Sequence, residues 1–313
     1  MGGASVTGKK LGWIGTGRMG FEMAACLGKA GHDVLAWNRT KAKADPLAKY
    51  GVNVATALDE LTRTDIVFTM VSTSDDLKQI LLGAGGLLDG AKAKPRIVVD
   101  CSSISIDASA DVRAALQARG IAFLASPVSG NAKVIKAGKL SVVCSGPREV
   151  FEECEPFLRA FGPGGVSYVD DGELARIAKI CHNVFLGVVT QSLAEITVLA
   201  QKAGLPRHAF LDFMNNSVMG SVFSRYKTPA FVNLDFKVTF TPYLLRKDMD
   251  LGLEAGRKLD VPLPLASVTR DLIQSQMGQG YTEQDFSTLL LLQAKVSGME
   301  LEPENVPVND GLS

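Results

Sequence analysis

The sequence predicts an α/β chain: an N-terminal doubly wound sheet joined by one long helix to an all-α C-terminal domain. Three features predict it. Short apolar runs alternate with helical stretches through the first half, which is the pattern of parallel βα units. Residues 172–204 then form one amphipathic stretch without proline. Beyond it, no segment alternates as a strand would. At 313 residues the chain exceeds what a single core usually serves, so the expected parts are 1–171, 172–300 and a loose tail over 301–313.

Composition narrows the class before any motif is read. Lysine plus arginine number 33, as do aspartate plus glutamate, and no basic block breaks the balance. Such a chain offers no footprint for nucleic acid or for an acidic membrane. The five cysteines (Cys26, Cys101, Cys144, Cys154, Cys181) are scattered and form no C-x-x-C pair. They are expected to be reduced thiols of a cytoplasmic protein. The opening segment MGGASVTGKK has no apolar core for a leader, and Val6 stands where an acylation motif needs Ser or Thr. No run is expected to reach membrane-spanning length. No spacing of Cys, His and carboxylates suggests a metal.

In chain order, Lys10–Ile14 is the first strand, and the turn Gly15-Thr16-Gly17-Arg18-Met19-Gly20 follows it directly. A helix with Met23, Ala24 and Leu27 then closes at Gly31. Glycines at this spacing are weak evidence alone, but between strand and helix of a βαβ unit they have the context a dinucleotide site needs. Gly15 permits the tight turn, Gly17 admits the pyrophosphate to the backbone, and Gly20 lets helix and strand pack. The helix N-terminus presents N–H groups to phosphate. The expected domain is thus Rossmann-type; a glycine turn that serves packing only is the plain alternative.

The end of the next strand, Asp33–Trp37, decides between the two nicotinamide cofactors. An NAD site places a carboxylate there for the ribose 2′-hydroxyl. This chain has Asn38-Arg39-Thr40, with Lys41 and Lys43 close by. A guanidinium with short polar donors suits a 2′-phosphate. NADP(H) is therefore expected in preference to NAD(H). Further strands are expected at 52–55, 65–70, 96–100, 121–125, 140–144 and 166–169, with helices near 41–50, 75–82, 107–118 and 147–161.

As a helix, the long stretch would span about 45–50 Å, enough to leave one domain and open the next. Lys179 and Asn183 stand four apart on one face of it. A partly buried amine there would titrate low and accept a proton near neutral pH. A solvated lysine on the outer face is the open alternative. Further helices are expected at 206–214, 243–259, 265–277 and 285–296, with a break around Gly220 and a rigid connector at Val261-Pro262-Leu263-Pro264. A small helical domain has a limited core of its own, so a homodimer or homotetramer is expected.

Taken in this order and spacing, the motifs resemble the β-hydroxyacid dehydrogenase family over residues 10–298. Four stretches carry the resemblance: the turn at 15–20, Pro127-Val128-Ser129-Gly130, the helix bearing Lys179 and Asn183, and Lys247-Asp248. It implies hydride transfer between NADP(H) and a short carboxylate-bearing substrate, a 3-hydroxy acid or its semialdehyde. Lys179 would move the proton and Asn183 would hydrogen-bond the substrate. Ser129, Gly130 and Asn131 would hold the carboxylate. Met70, Val71, Ser72 and Ser103 would line the ribose and nicotinamide, with Lys247 near the nicotinamide end. A Lys247 paired with Asp248 or Asp250 is the plain alternative.

The departures from the family pattern are local. Where the family usually reads Asp-Ala-Pro-Val-Ser-Gly-Gly, this chain reads Ala125-Ser126-Pro127-Val128-Ser129-Gly130-Asn131, and Val134-Ile135 replace a usual Gly-Ala. His182 replaces a usual Asn, and a hydrogen-bonded packing role is expected for it. The same helix is similar to that of 6-phosphogluconate dehydrogenase, yet Leu186 stands where that enzyme carries its glutamate acid. Decarboxylation of phosphogluconate is therefore not expected. Two rivals share the architecture: an imine reductase, whose lysine position generally carries another residue, and a non-catalytic dinucleotide-binding scaffold like the module of some chromatin-associated proteins.

Overall fold

The computed structural model describes residues 8–312; the opening residues read above for a leader or an acyl group lie outside them. Contacts divide the chain into two compact units, and the division falls between Lys179 and Ile180, inside the long helix, rather than at residue 171. The expected α/β class is what the described residues form: a parallel sheet in the first unit and helices in the second.

In the first unit, β1 (Lys10–Ile14), α1 (Arg18–Lys29), β2 (Asp33–Trp37), β3 (Asn53–Val54), β4 (Ile66–Thr69), α2 (Ser74–Leu82), β5 (Ile97–Asp100), α3 (Ile106–Gln117) and β6 (Ala122–Ala125) follow in order. The six strands pair in the order β3-β2-β1-β4-β5-β6, every pair parallel. Strands β4 and β5 are buried at every residue, as unbroken apolar runs covered on both faces should be. Trp13 stacks on Phe68 with ring centroids 5.6 Å apart, and Phe157 and Phe161 close the same layer. The order reverses beside β1, where β2 and β4 diverge to either side. That is the switch point at which sheets of this kind open a crevice beyond their C-terminal edge.

Several expected elements differ. The strands expected at 140–144 and 166–169 belong to a second sheet, β7 (Val128–Ser129), β8 (Ser141–Cys144) and β9 (Gly165–Tyr168), in which β7 runs antiparallel to β8. Pro127 has no N–H to extend the main ladder past β6, and its carbonyl instead accepts from Val143 N at 3.1 Å. The helix expected near 41–50 is two 3-10 segments, Lys41–Lys43 and Asp45–Tyr50, broken by Pro46 and ended by Gly51 at φ +81°. The short helix α4 (Ala132–Lys136) precedes β8, and α5 (Arg148–Phe161) precedes β9. All five cysteines are free thiols. Burial pushes the Cys144 thiol up to about 11, so it stays protonated at neutral pH.

Helix α6 (Leu174–Lys202) is one unbroken element of 29 residues. By length and composition it is apolar enough to cross a membrane, contrary to the expectation that no run reaches that length. In this fold part of its apolar face packs: Leu193, Ala194 and Val198 lie in a core of the second unit, while Phe185 and Leu199 are exposed. The other helices there are α7 (Arg207–Asn216), α8 (Val222–Asn233), α9 (Pro242–Lys258), α10 (Pro264–Gly278) and α11 (Leu289–Val296). Helices α6 and α9 meet at two glycines. A Cβ on Gly252 would stand 2.1 Å from Val184 Cγ2, and one on Gly187 2.6 Å from Met249 Sδ.

Residues 301–312 are not the loose tail expected of them. Leu301 is buried in the second core, and Glu304 accepts hydrogen bonds from the Arg207 and His208 amides at 2.7 and 2.9 Å. Helix α7 has no side-chain cap of its own, so a carboxylate from 97 residues away supplies one.

A second distant pair crosses the same unit. Lys227 and Asp285, 2% and 1% exposed, form an ion pair at 2.6 Å. Burial raises the Asp285 carboxyl, but the Lys227 charge and the bonds from Ser287 and Thr239 outweigh it and hold the carboxyl below its ordinary value. The resulting stability is complete above 3.8, the unfolded value, and is lost as pH falls through the lower folded value. Asp285→Asn strands a buried ammonium and is expected to cost roughly 3–5 kcal/mol in urea unfolding at neutral pH. The gap from wild type should narrow in acid, and a variant equally destabilised at all pH values would refute this account.

Candidate functional site

Past the C-terminal end of β1 the chain turns through Gly15, at φ +94°. A Cβ on Gly15 would stand 2.2 Å from the Met70 carbonyl oxygen, and one on Gly20 2.0 Å from the Gly15 carbonyl oxygen. Packing alone therefore demands both glycines. Gly17 is different. Its φ is −66°, open to any residue, and a Cβ there would meet nothing within 4 Å. Its missing side chain serves no contact of the fold, but it keeps clear the space before α1. That helix has neither a side-chain cap nor an acidic residue in its first turn, so its leading N–H groups face an incoming anion. The Thr16 hydroxyl is buried without a hydrogen-bond partner among the described residues. Each of these fits a dinucleotide pyrophosphate.

A cavity of about 320 Å³ opens beside this turn, lined by Gly15, Gly17, Asn38, Arg39, Thr40, Met70, Val71 and Ser72. Eight expected cofactor residues thus come together at the switch point. Thr16, Arg18, Met19, Gly20 and Ser103 are not part of that lining: Arg18 is exposed and Met19 packs against the core. The cavity adds residues the sequence reading did not assign, among them Trp37, Asp76, Gln79 and Ile80 from β2 and α2. Lys43, noted only as a nearby cation, lines it as well. Asn38 has a role inside the protein. Its Oδ1 accepts from Thr16 N and its Nδ2 donates to the Thr40 carbonyl, both at 2.9 Å. It clips the glycine turn to the loop after β2, while Arg39 remains exposed.

The loops after β4 and β5 are fixed from behind. Asp100, fully buried at the end of β5, accepts from Thr69 Oγ1 at 2.6 Å and Ser102 Oγ at 2.7 Å. Ser102 Oγ in turn accepts from Val71 N at 2.9 Å. Cys101 lies between them; burial, then the Asp100 charge, push its thiol well above the ordinary value, which makes it inert. Ser103 was the residue expected here, whereas Ser102 is the one that ties the two loops together. The available signal was a carboxylate ending a wholly apolar strand, which needs partners if it is buried.

In the loop proposed for substrate, Ser129 ends β7 and Gly130 follows at φ +140°. A Cβ on Gly130 would stand 2.8 Å from Val134 Cγ1. Asn131 caps α4: its Oδ1 accepts from Lys133 N at 2.9 Å and Val134 N at 3.1 Å. Val134 and Ile135 are buried beneath the loop. The chain's departures from the family pattern at 131 and 134–135 are therefore a capped turn and its packing.

On α6, Lys179 is half-buried and Asn183 is 4% exposed. Asn183 Nδ2 donates to Asp248 Oδ2 at 2.5 Å, across the glycine-lined crossing of α6 and α9. Lys247 Nζ lies 3.3 Å from Asp248 Oδ1, the pairing that the plain alternative expects. His182 is exposed, not packed, with Nδ1 2.9 Å from Asn183 Oδ1. Among the described residues no group of Cys, His and carboxylates is placed to hold a metal.

This fold and glycine turn define a two-domain NAD(P)-binding oxidoreductase chain. Residues 10–172 match the NAD binding domain of 6-phosphogluconate dehydrogenase, and residues 174–292 match the NAD-binding domain of NADP-dependent 3-hydroxyisobutyrate dehydrogenase. The chain belongs to the β-hydroxyacid dehydrogenase family. It is 29% identical to 2-(hydroxymethyl)glutarate dehydrogenase of Eubacterium barkeri, over 93% of this chain and 97% of that one. A solved 3-hydroxyisobutyrate dehydrogenase from Salmonella typhimurium superposes with TM-score 0.82 at 26% identity, covering 91% of this chain and all of that one. The chain is also 29% identical to the cytokine-like nuclear factor N-PAC of Bos taurus over 92% of its own length, but it spans only about half of that protein (52%).

Proposed function

We propose that the chain is an NADP(H)-dependent oxidoreductase that interconverts a short 3-hydroxy acid and its semialdehyde, with Lys179 moving the proton. The observation that carries this reading is Gly17, a glycine that the fold does not need and a pyrophosphate does. Arg39, Thr40 and Lys43 would hold the 2′-phosphate, and the backbone of the turn at 15–20 the pyrophosphate. When bound, the nicotinamide supplies the hydride acceptor or donor. In oxidation Lys179 Nζ takes the hydroxyl proton as the C–H bond breaks; in reduction it returns a proton to the carbonyl oxygen. The Ser129 hydroxyl and the Gly130 amide would hold the carboxylate, on a loop that the Asn131 cap keeps in shape. Asn183, oriented by Asp248, would present its carboxamide one turn beyond the amine.

The named substrates of the two dehydrogenase relatives support the substrate class. 3-Hydroxyisobutyrate and 2-(hydroxymethyl)glutarate share a primary alcohol one carbon from a carboxylate-bearing carbon, and they differ in that carbon's substituent. The likeness to N-PAC favours a second reading, a dinucleotide-binding module without turnover. Exposed Phe185, Phe213, Val218 and Met219 in the second unit favour a homodimer or homotetramer, and five free thiols favour the cytoplasm.

An NADPH-oxidation screen over methylmalonate semialdehyde, succinic semialdehyde, glyoxylate, tartronate semialdehyde and a few cyclic imines separates these readings. Turnover is expected on one or more semialdehydes and not on imines. NADPH binding without turnover on any of them would favour the module, and imine turnover alone would move the chain to that class. Light scattering on the same sample should give a dimer or larger, and a monomer would remove the oligomer reading.

A further inference from the structure

The first turns of α6 hold a buried charge that the proposed chemistry does not use. Arg176 is 1% exposed and Asp100 0%. Arg176 Nη2 donates to Asp100 Oδ2 at 2.6 Å, Nη1 to the Ser102 carbonyl at 2.7 Å, and Nε to Ser109 Oγ at 3.0 Å. All three guanidinium nitrogens are therefore bound, one of them to the carboxylate that organises the loops after β4 and β5. The same turn is gripped from outside. Arg113 Nε bonds Glu173 at 2.7 Å and its Nη2 bonds the Gly172 carbonyl at 2.5 Å. Ser145 Oγ accepts from Ala175 N at 3.0 Å.

Stability alone gives no reason for such a pair. Removing two charges from water is so costly that well-packed apolar side chains usually stabilise as well or better. A satisfied, directional network does supply fixed geometry. What it fixes here is specific. One end holds Val71, which lines the cofactor cavity, through Ser102. The other end holds the helix on which Lys179 stands three residues later, about 4.5 Å along the axis.

We propose that Arg176 is a positioning residue for the reaction: its guanidinium sets the register of the first turns of α6 against the cofactor loops and so places the Lys179 amine. The proposal rests on the reading of Lys179 as the proton-transfer group, and the test separates the two. Arg176→Met, Arg176→Lys and Ser109→Ala are made singly, and Arg176→Met also in a Lys179→Met background. Melting temperature, KM for NADPH and kcat per folded molecule are measured for each. Displacing the amine by on the order of 1 Å should lower kcat about 10–100-fold in Arg176→Met. KM for NADPH should change less than about threefold. Arg176→Lys keeps the charge and loses the fork, so it should lie between that variant and wild type; Ser109→Ala, which removes one bond, should lose about threefold.

In the Lys179→Met background the Arg176 change should have almost no further effect. A loss as large there as in wild type would overturn the proposal, because the arginine would then act by another route. So would unchanged kcat in folded Arg176→Met. If that variant does not fold, unchanged kcat in both Arg176→Lys and Ser109→Ala decides against it. Near-wild-type turnover in Lys179→Met alone is the separate outcome that removes the lysine reading and this proposal with it.

Discussion

Lys179→Met is expected to lower kcat by about 10²–10⁴-fold, the usual worth of a positioned acid or base, with NADPH affinity within about threefold of wild type. Methionine keeps the length and apolar stem of lysine, so packing along α6 is conserved while the titrating nitrogen is lost. Most residues proposed to hold the cofactor line a cavity at the switch point of the sheet, and Lys179 is not in that lining. Turnover and cofactor binding should therefore separate cleanly. Lys179→Arg sharpens the test. A guanidinium retains the positive charge but cannot release its proton near neutral pH. If the amine serves as a proton shuttle, arginine should be nearly as poor as methionine. If arginine restores most of kcat, the role of Lys179 is electrostatic, and the acid/base assignment fails.

What the sequence revealed and what it concealed follow from how far apart the interacting groups lie. The glycine turn, the strands of the parallel sheet and the long helix are local patterns, and each stands where periodicity puts it. Helix α8 was hidden because Gly220 and the internal Pro229 look like breaks, although Ser221 caps it on Ser224 N. The loose tail was misread because proline and acidic residues imply solvent, whereas Glu304 is the cap of a helix it meets only in three dimensions. At the site, the glycine turn and the loop after β2 were legible because each is a short local motif, whereas Asp76, Gln79 and Ile80 of α2 reach the cavity only through the fold. Asn38 lines the cavity as expected and also holds two loops together, a second role hidden because its partner amide on Thr16 lies 22 residues back. Arg176 and Asp100 are 76 residues apart. The only local hint was an arginine on the helix face shared with Ile180, Val184 and Gly187, all of which pack inward or against a neighbouring helix.

Arg39→Asp should reverse the proposed preference for NADP(H), changing the ratio of kcat/KM for NADPH over NADH by about 10²–10³-fold. A charge-assisted hydrogen bond to phosphate is worth about 1.5–3 kcal/mol, and a carboxylate in its place adds repulsion of the 2′-phosphate. The same carboxylate would stand where NAD sites bond the ribose 2′-hydroxyl, so NADH should lose little or gain. Two features of the cavity bound the effect. Lys43 lines it and would still attract the phosphate, whereas Lys41 is paired with Asp45. Arg39 is exposed, so its attraction should be screened, and KM for NADPH in wild type should rise with salt more steeply than KM for NADH. The Arg39→Asp variant should lose that difference in slope. Equal losses for both cofactors would mean that Arg39 supports the loop and does not read the phosphate, and the proposed preference for NADP(H) would then rest on Thr40 and Lys43 alone.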